Sequence, residues 1–157
     1  MTLKPNLFVL ISFLHLTSFS QQLKPEDKPE IVKFTTAISN KDFSAIMPYI
    51  TYPLRRQYPL PDIKNEVEFI YAFNTIFDDS LIQVISNSNI DKDWSRVGWR
   101  GIMLQSGAIW LTEDYKLKAV NAQSKQERNI KNAIIQQDKA IIHESVRNYS
   151  SPILLIH

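Results

Sequence analysis

The residues with the strongest chemical character here are an acidic pair, a histidine, and arginines set among tryptophans. Asp78 and Asp79 are adjacent carboxylates. Close carboxylates push each other's pKa values apart, as an acid–base pair requires. Adjacent residues rarely face one site, however, and aspartate is favoured at helix N-termini. Capping is therefore the stronger expectation for this pair. His143 is the one histidine in the body of the chain, since His15 lies in the N-terminal apolar run and His157 is the last residue. It follows Ile141-Ile142 near an expected helix end, where an imidazolium suits the dipole. A small isomerase or hydrolase built on this chain would have Asp78 or His143 as its base.

Every glycine and every tryptophan lies between Trp94 and Trp110. Gly98, Gly101 and Gly107 interleave with Trp94, Trp99 and Trp110, which predicts a hairpin that allows close backbone approach and carries large packing surfaces. Arg100 stands between Trp99 and Gly101 in an expected strand, facing away from Trp99. An inward Arg100 would need a carboxylate or an anionic ligand, whereas an outward one would be solvated. Arg55 and Arg56 could extend an anion patch with Arg100. Charges also serve simply to block edge-to-edge strand pairing, and that is the preferred expectation for them.

Several chemistries are excluded. The chain has no cysteine, so it has no disulfide, no thiol nucleophile and no thiolate metal site. Asp91, Asp93 and Ser95 imitate the start of a calcium loop, but Arg96 and Ile102 stand where glycine and glutamate are required. No nucleophile elbow, phosphate loop or dinucleotide fingerprint occurs. No metal and no cofactor is expected. The net charge of +2 gives no electrostatic reason to expect nucleic acid as a partner.

The elements that must position these residues follow from the patterning. Lys4, the apolar run Leu7 to Leu16, and Ser18-Phe19-Ser20 form a secretory signal pattern with cleavage after Ser20. The run is too short to span a bilayer, so no membrane span is expected after cleavage. The localisation implied is export, periplasmic or secreted. Residues 21–28 read as a polar tether, and residues 29–157 as a single domain. Its 44% apolar and 11% aromatic residues are those of a globular protein.

A helix is predicted from about 29 to 39, then a short one at Phe43 to Met47. Tyr52-Pro53-Leu54 and Tyr58-Pro59-Leu60 form a small duplication that proline restricts to extended edge structure. Asn65 with Glu68 is a variant capping box opening a helix through Phe77. Asp78-Asp79-Ser80 interrupts and can cap a further helix carrying Leu81, Ile82, Val84 and Ile85. Asn87 to Trp94 reads as a polar loop. Strands are expected at Val97 to Leu104, Ala108 to Thr112 and Leu117 to Ala122, with a turn at Gln105-Ser106-Gly107. Gln123 to about Ile142 predicts a long helix, followed by a loop at Asn148 to Pro152. Ile153 to Ile156 is expected as either a short terminal strand or the first part of a strand cut short.

Residues 63–70 with Ile76-Phe77-Asp78, and Val97 to Leu104 with Gly107 to Leu111, resemble segments of the nuclear-transport-factor-2-like superfamily and of small exported bacterial proteins without assigned activity. The resemblance spans about Glu30 to Ile156. It implies an α+β domain in which helices pack on a curved, mainly antiparallel sheet that makes a cone-like cavity. Superfamily members include isomerases, dehydratases and binding domains, so the likeness carries no activity. The long helix before the last strand departs from the simplest order of that superfamily.

The function expected is a non-enzymatic binding or interaction module of the cell envelope, monomeric or weakly dimeric. Trp99, Trp110 and Tyr71 would line a partly apolar cavity, with Arg100 fixing an acidic group of a small-molecule or envelope-protein partner. The alternatives are the small enzyme above and an inhibitor that reaches a secreted enzyme through Asn87 to Trp94.

Overall fold

Apolar residues at helical spacing bury one stripe of α1 (Asp27–Ser39), where Ile31, Phe34, Ala37 and Ile38 enter the core. The computed structural model describes residues 21–150. The expected signal segment and the expected strand at Ile153 to Ile156 lie outside the described residues. Asp42 accepts from the Ala45 N–H and caps the short α2 (Phe43–Ile46), which a 3-10 turn at Met47–Tyr49 continues. The Tyr-Pro-Leu duplication is extended, with cis peptide bonds before Pro53 and Pro59. Leu54 there pairs with Ile63.

Asn65 caps as expected, and of the segment Asp78-Asp79-Ser80 it is Asp78 that caps the next helix. Asn65 Oδ1 accepts from Glu68 N at 2.9 Å and opens α3 (Glu66–Ile76). Glu68 Oε2 reaches back to Lys64 N at 2.7 Å, one residue before the usual capping-box donor. Asp78 Oδ1 accepts from Leu81 N at 2.9 Å and opens α4 (Asp79–Ser86). Phe69, Phe73 and Phe77 are fully buried, with the Phe73 and Phe77 rings stacked 5.0 Å apart. Edge-to-face contact with Phe43 ties this cluster to α2.

The sheet is a four-stranded antiparallel meander in the order β1 (Trp94–Arg96), β2 (Ile102–Leu104), β3 (Ile109–Leu111), β4 (Leu117–Val120). The domain is thus α+β, with helices packed against an antiparallel sheet. Strand alternation sends Ile102, Leu104, Ile109 and Leu111 into the core, and Leu117 and Val120 of β4 are buried with them. The sheet is open rather than closed into a cone.

Several boundaries differ from expectation. Residues 87–94 are not a polar loop: α5 (Ile90–Asp93) lies there and Trp94 begins β1. Trp94 is buried, donating its indole N–H to Ser88 Oγ at 3.0 Å. Val97 to Leu104 is not one strand, because Gly98–Arg100 is a 3-10 turn. Residues 21–28 are tied to the domain rather than running as a tether. Gln21 and Arg96 exchange backbone hydrogen bonds of 2.8 and 3.0 Å at the β1 edge, and Leu23 is buried. The last helix, α6 (Lys125–Ser150), runs through the expected loop at Asn148 to Ser150.

Candidate functional site

The turn between β1 and β2 sets the site. Gly98 and Gly101 bracket it with φ of +49° and +102°. A Cβ on Gly101 would lie 2.1 Å from the Leu111 carbonyl oxygen, so only glycine fits against β3 there. Arg100 N donates to Val97 O at 3.0 Å, which closes the turn and lifts Trp99 off the sheet. Trp99 is 82% exposed.

Across the outer face of the sheet, Trp110 stands half-buried on β3 opposite Ala119. Gly107, at φ +96°, lies so close to the Trp110 indole that a Cβ would meet its nitrogen at 2.7 Å. A register shift between Trp110 and Leu111 breaks the alternation of β4. Leu117 and Val120 therefore both face the core, while Lys118 is exposed beside Ala119. Such a bulge re-aims a side chain. Here it brings the Lys118 ammonium to 5.9 Å from the Trp99 ring centroid, while the Arg100 guanidinium lies 6.0 Å from it. Both cations are within cation–π range.

Trp99, Arg100, Trp110, Lys118, Ala119 and Asn121 line an open groove of about 320 Å³. Its lining contains no carboxylate, and neither cation has an acidic partner among the described residues. Lys118 donates only to the Arg100 carbonyl, at 3.4 Å. A surface of this kind can hold an anionic group against an aromatic face.

Three of the four residues expected to bind ligand thus converge, and Tyr71 does not join them. It is exposed on α3 and does not line the groove. Arg100 does not point into a closed cavity, as the expected strand alternation allowed. The 3-10 turn removes that alternation and leaves it exposed at the groove rim. Lys118 was missed because the bulge that presents it depends on pairing with β3 rather than on local pattern.

A larger groove of about 570 Å³ lies between α1, the turn after α2 and residues 114–116. Its charges are largely spent on one another. Lys33 pairs with Glu30 at 2.7 Å, Tyr49 donates to Glu30 at 3.4 Å, and Lys116 donates to the Pro48 carbonyl. Burial, then the Glu30 charge, raises the Tyr49 phenol above its ordinary value. This groove is a seam between elements in which Glu30, Lys33, Tyr49 and Lys116 are already partnered.

Two buried ion pairs hold the frame. Arg96 grips Asp27 with Nε to Oδ2 at 2.8 Å and Nη2 to Oδ1 at 2.7 Å, and Tyr115 Oη donates to the same carboxylate at 3.1 Å. Burial alone would raise the Asp27 carboxyl. The Arg96 and Lys24 N–H donors outweigh it and hold the group below its ordinary value. Arg56, expected as an exposed edge charge, is instead buried against Glu127 of α6 and also donates to the Val120 carbonyl at 3.3 Å. Arg55 is exposed and pairs with Asp62 at 2.8 Å. Asp78 spends Oδ1 on its cap, and His143 is exposed on α6. The two candidate bases share neither an element nor a groove. Among the described residues no group of acids and histidines could hold a metal, and no helix is long and apolar enough to cross a membrane.

No family model matches the chain, and no curated protein or solved structure matches it either.

Proposed function

We propose that this protein is an exported, non-enzymatic binding module of the cell envelope that captures an acidic ligand on the outer face of its sheet. The observation that carries this reading is the groove in which Trp99 and Trp110 stand beside two cations with no carboxylate among them. Trp99 and Trp110 share one groove with Arg100, and tryptophan and arginine are the side chains enriched where binding energy concentrates. Arginine offers a planar fork that matches a carboxylate, while lysine adds a point charge. The ligand class is a carboxylate carried beside an apolar or sugar-like face, on a small molecule or on an envelope protein. Nucleic acid is disfavoured by the small net charge.

The alternatives lack a supporting observation. A small isomerase or hydrolase would need Asp78 or His143 within a closed site. An inhibitor acting through residues 87–94 would need that segment to protrude. Instead Trp94 is buried and Asp91 pairs with Lys28 at 2.6 Å.

The test is a thermal melt of the purified protein against small acids, sugars, lipids and peptidoglycan fragments. Acidic members should raise the midpoint, and Arg100→Ala should remove the shift without lowering the unliganded midpoint. Equal shifts from neutral ligands, or affinity retained in Arg100→Ala, would refute it.

A further inference from the structure

Lys118 belongs to two grooves. On one side it lines the groove of Trp99, Arg100 and Trp110. On the other it lines a groove of about 310 Å³ with Thr51, Pro53, Thr112, Asp114 and Lys116, where the segment after Ile50 runs beside β4. The bulge explains the join. Leu117 is buried and Lys118 is exposed, so the ammonium stands on the outer surface between the two floors. A ligand long enough to cross Lys118 meets both grooves.

The two floors differ in charge. The first has Arg100 and Lys118 and no carboxylate. The second holds the exposed carboxylate of Asp114, while its Lys116 is spent on the Pro48 carbonyl. Asp114 therefore repels a second acid and accepts from hydroxyls. The polar groups around both floors are open. Asn121 donates through Nδ2 to the Gly107 carbonyl at 2.9 Å, which leaves its Oδ1 as an acceptor at the first groove. The indole N–H groups of Trp99 and Trp110 and the Thr51 hydroxyl have no hydrogen-bond partner among the described residues. A ligand that displaces water from such groups must replace its hydrogen bonds. A plain aromatic or aliphatic acid offers a charge and an apolar face but nothing for them. A sugar acid offers a C–H face for the indole, a carboxylate for the cations, and hydroxyls for the rest. An extended peptide gains its affinity by pairing with a sheet edge. Here Gln21 already bridges to β1 and Ile50 to β4.

Resting on the acidic-ligand reading of the Trp99 groove, we propose that the ligand is an acidic oligosaccharide spanning both grooves. Its carboxylate-bearing sugar lies on Trp99 and Trp110 and faces Arg100 and Lys118. The next sugar is neutral and crosses Lys118 into the second groove. There Thr51 and Asp114 meet its hydroxyls and Pro53 its C–H face. Asp114 sets this order, because a chain with an acid on every sugar brings like charges together in the second groove.

Isothermal titration calorimetry of the purified protein tests this with defined probes. These are glucuronate, benzoate, a tetrasaccharide of alternating glucuronate and N-acetylglucosamine, the neutral tetramer of N-acetylglucosamine, and the tetramer of galacturonate. The alternating tetrasaccharide should bind at least about ten-fold tighter than glucuronate and than the neutral tetramer. Thr51 is exposed, so Thr51→Trp fills the second groove without disturbing the core. It should cancel the gain from length and leave glucuronate binding unchanged. The galacturonate tetramer should bind less tightly than the alternating chain, and Asp114→Asn should narrow that difference. Equal affinity for glucuronate and the alternating tetrasaccharide, a gain that survives Thr51→Trp, or tighter binding of the galacturonate tetramer would overturn the two-groove ligand. So would benzoate bound more tightly than either glucuronate-bearing probe. All four results leave the acidic-ligand reading standing. A neutral tetramer bound as tightly as the alternating one, or no binding of any acid, would overturn both.

Discussion

Asp27 and Arg96 stand 69 residues apart and meet through two parallel hydrogen bonds of 2.7 and 2.8 Å with the carboxylate fully buried. The pair fastens the first turn of α1 to the edge strand β1. The Lys24 N–H adds a third donor at 2.8 Å, and Tyr115 a fourth from the turn before β4. One carboxylate thus joins three elements that the chain order keeps apart. Removing one partner strands the other in the core. Asp27→Ala is therefore expected to cost about 3–5 kcal/mol, measured by denaturant unfolding. Tyr115→Phe should cost only about 1 kcal/mol, because one donor of four is lost.

The same pair sets an acid limit. Asp27 titrates below its ordinary 3.8 in the folded chain, so the unfolded chain binds the proton first as pH falls. Its stabilisation is complete above the unfolded value and is lost as pH drops through the folded one. Thermal midpoints should fall below about pH 4, and Asp27→Asn should flatten that limb. An unchanged acid limb in the variant would assign acid unfolding to other carboxylates.

Neighbouring arginines should behave oppositely. Arg56 is buried against Glu127, whereas Arg55 is exposed beside Asp62. Arg56→Ala leaves the Glu127 carboxylate buried without its cation and should cost about 3–5 kcal/mol. Arg55→Ala removes an exposed pair and should cost no more than about 1 kcal/mol. Equal effects in denaturant titrations would contradict the burial that separates them.

Gly101→Ala tests the turn that carries Trp99. The added Cβ would lie 2.1 Å from the Leu111 carbonyl oxygen in a backbone at φ +102°. Strain of this kind should cost roughly 1–3 kcal/mol. Because Trp99 and Arg100 ride on that turn, ligand-induced thermal shifts should fall as well. Gly98→Ala meets no atom within 4 Å and should show the smaller loss.

The three tryptophans give a direct optical check. Trp94 is 2% exposed and Trp99 is 82% exposed. Iodide should quench a large fraction of emission in the native chain and far less in Trp99→Phe. An acidic ligand in the groove should protect the same fraction.

The amino-acid sequence by itself determined the local features. Asn65 and Asp78 cap their helices because the side chain and the N–H it satisfies are three residues apart. The turn at residues 105–107 and the two strands after it follow from a glycine between apolar runs. The helix after Ser124 was legible from its length of favourable residues, although its end was set too early. Tertiary structure alone decided the rest. Nothing near Arg56 or Arg96 in the chain marks either as buried, because their partners lie 71 and 69 residues away. The direction of Arg100 followed from Gly101 pressing on Leu111, and the exposure of Lys118 from the shifted pairing of β4 with β3. Caps and turns are written within a few residues. Charge burial and side-chain direction depend on which strand or helix arrives opposite, and only the packed chain decides that.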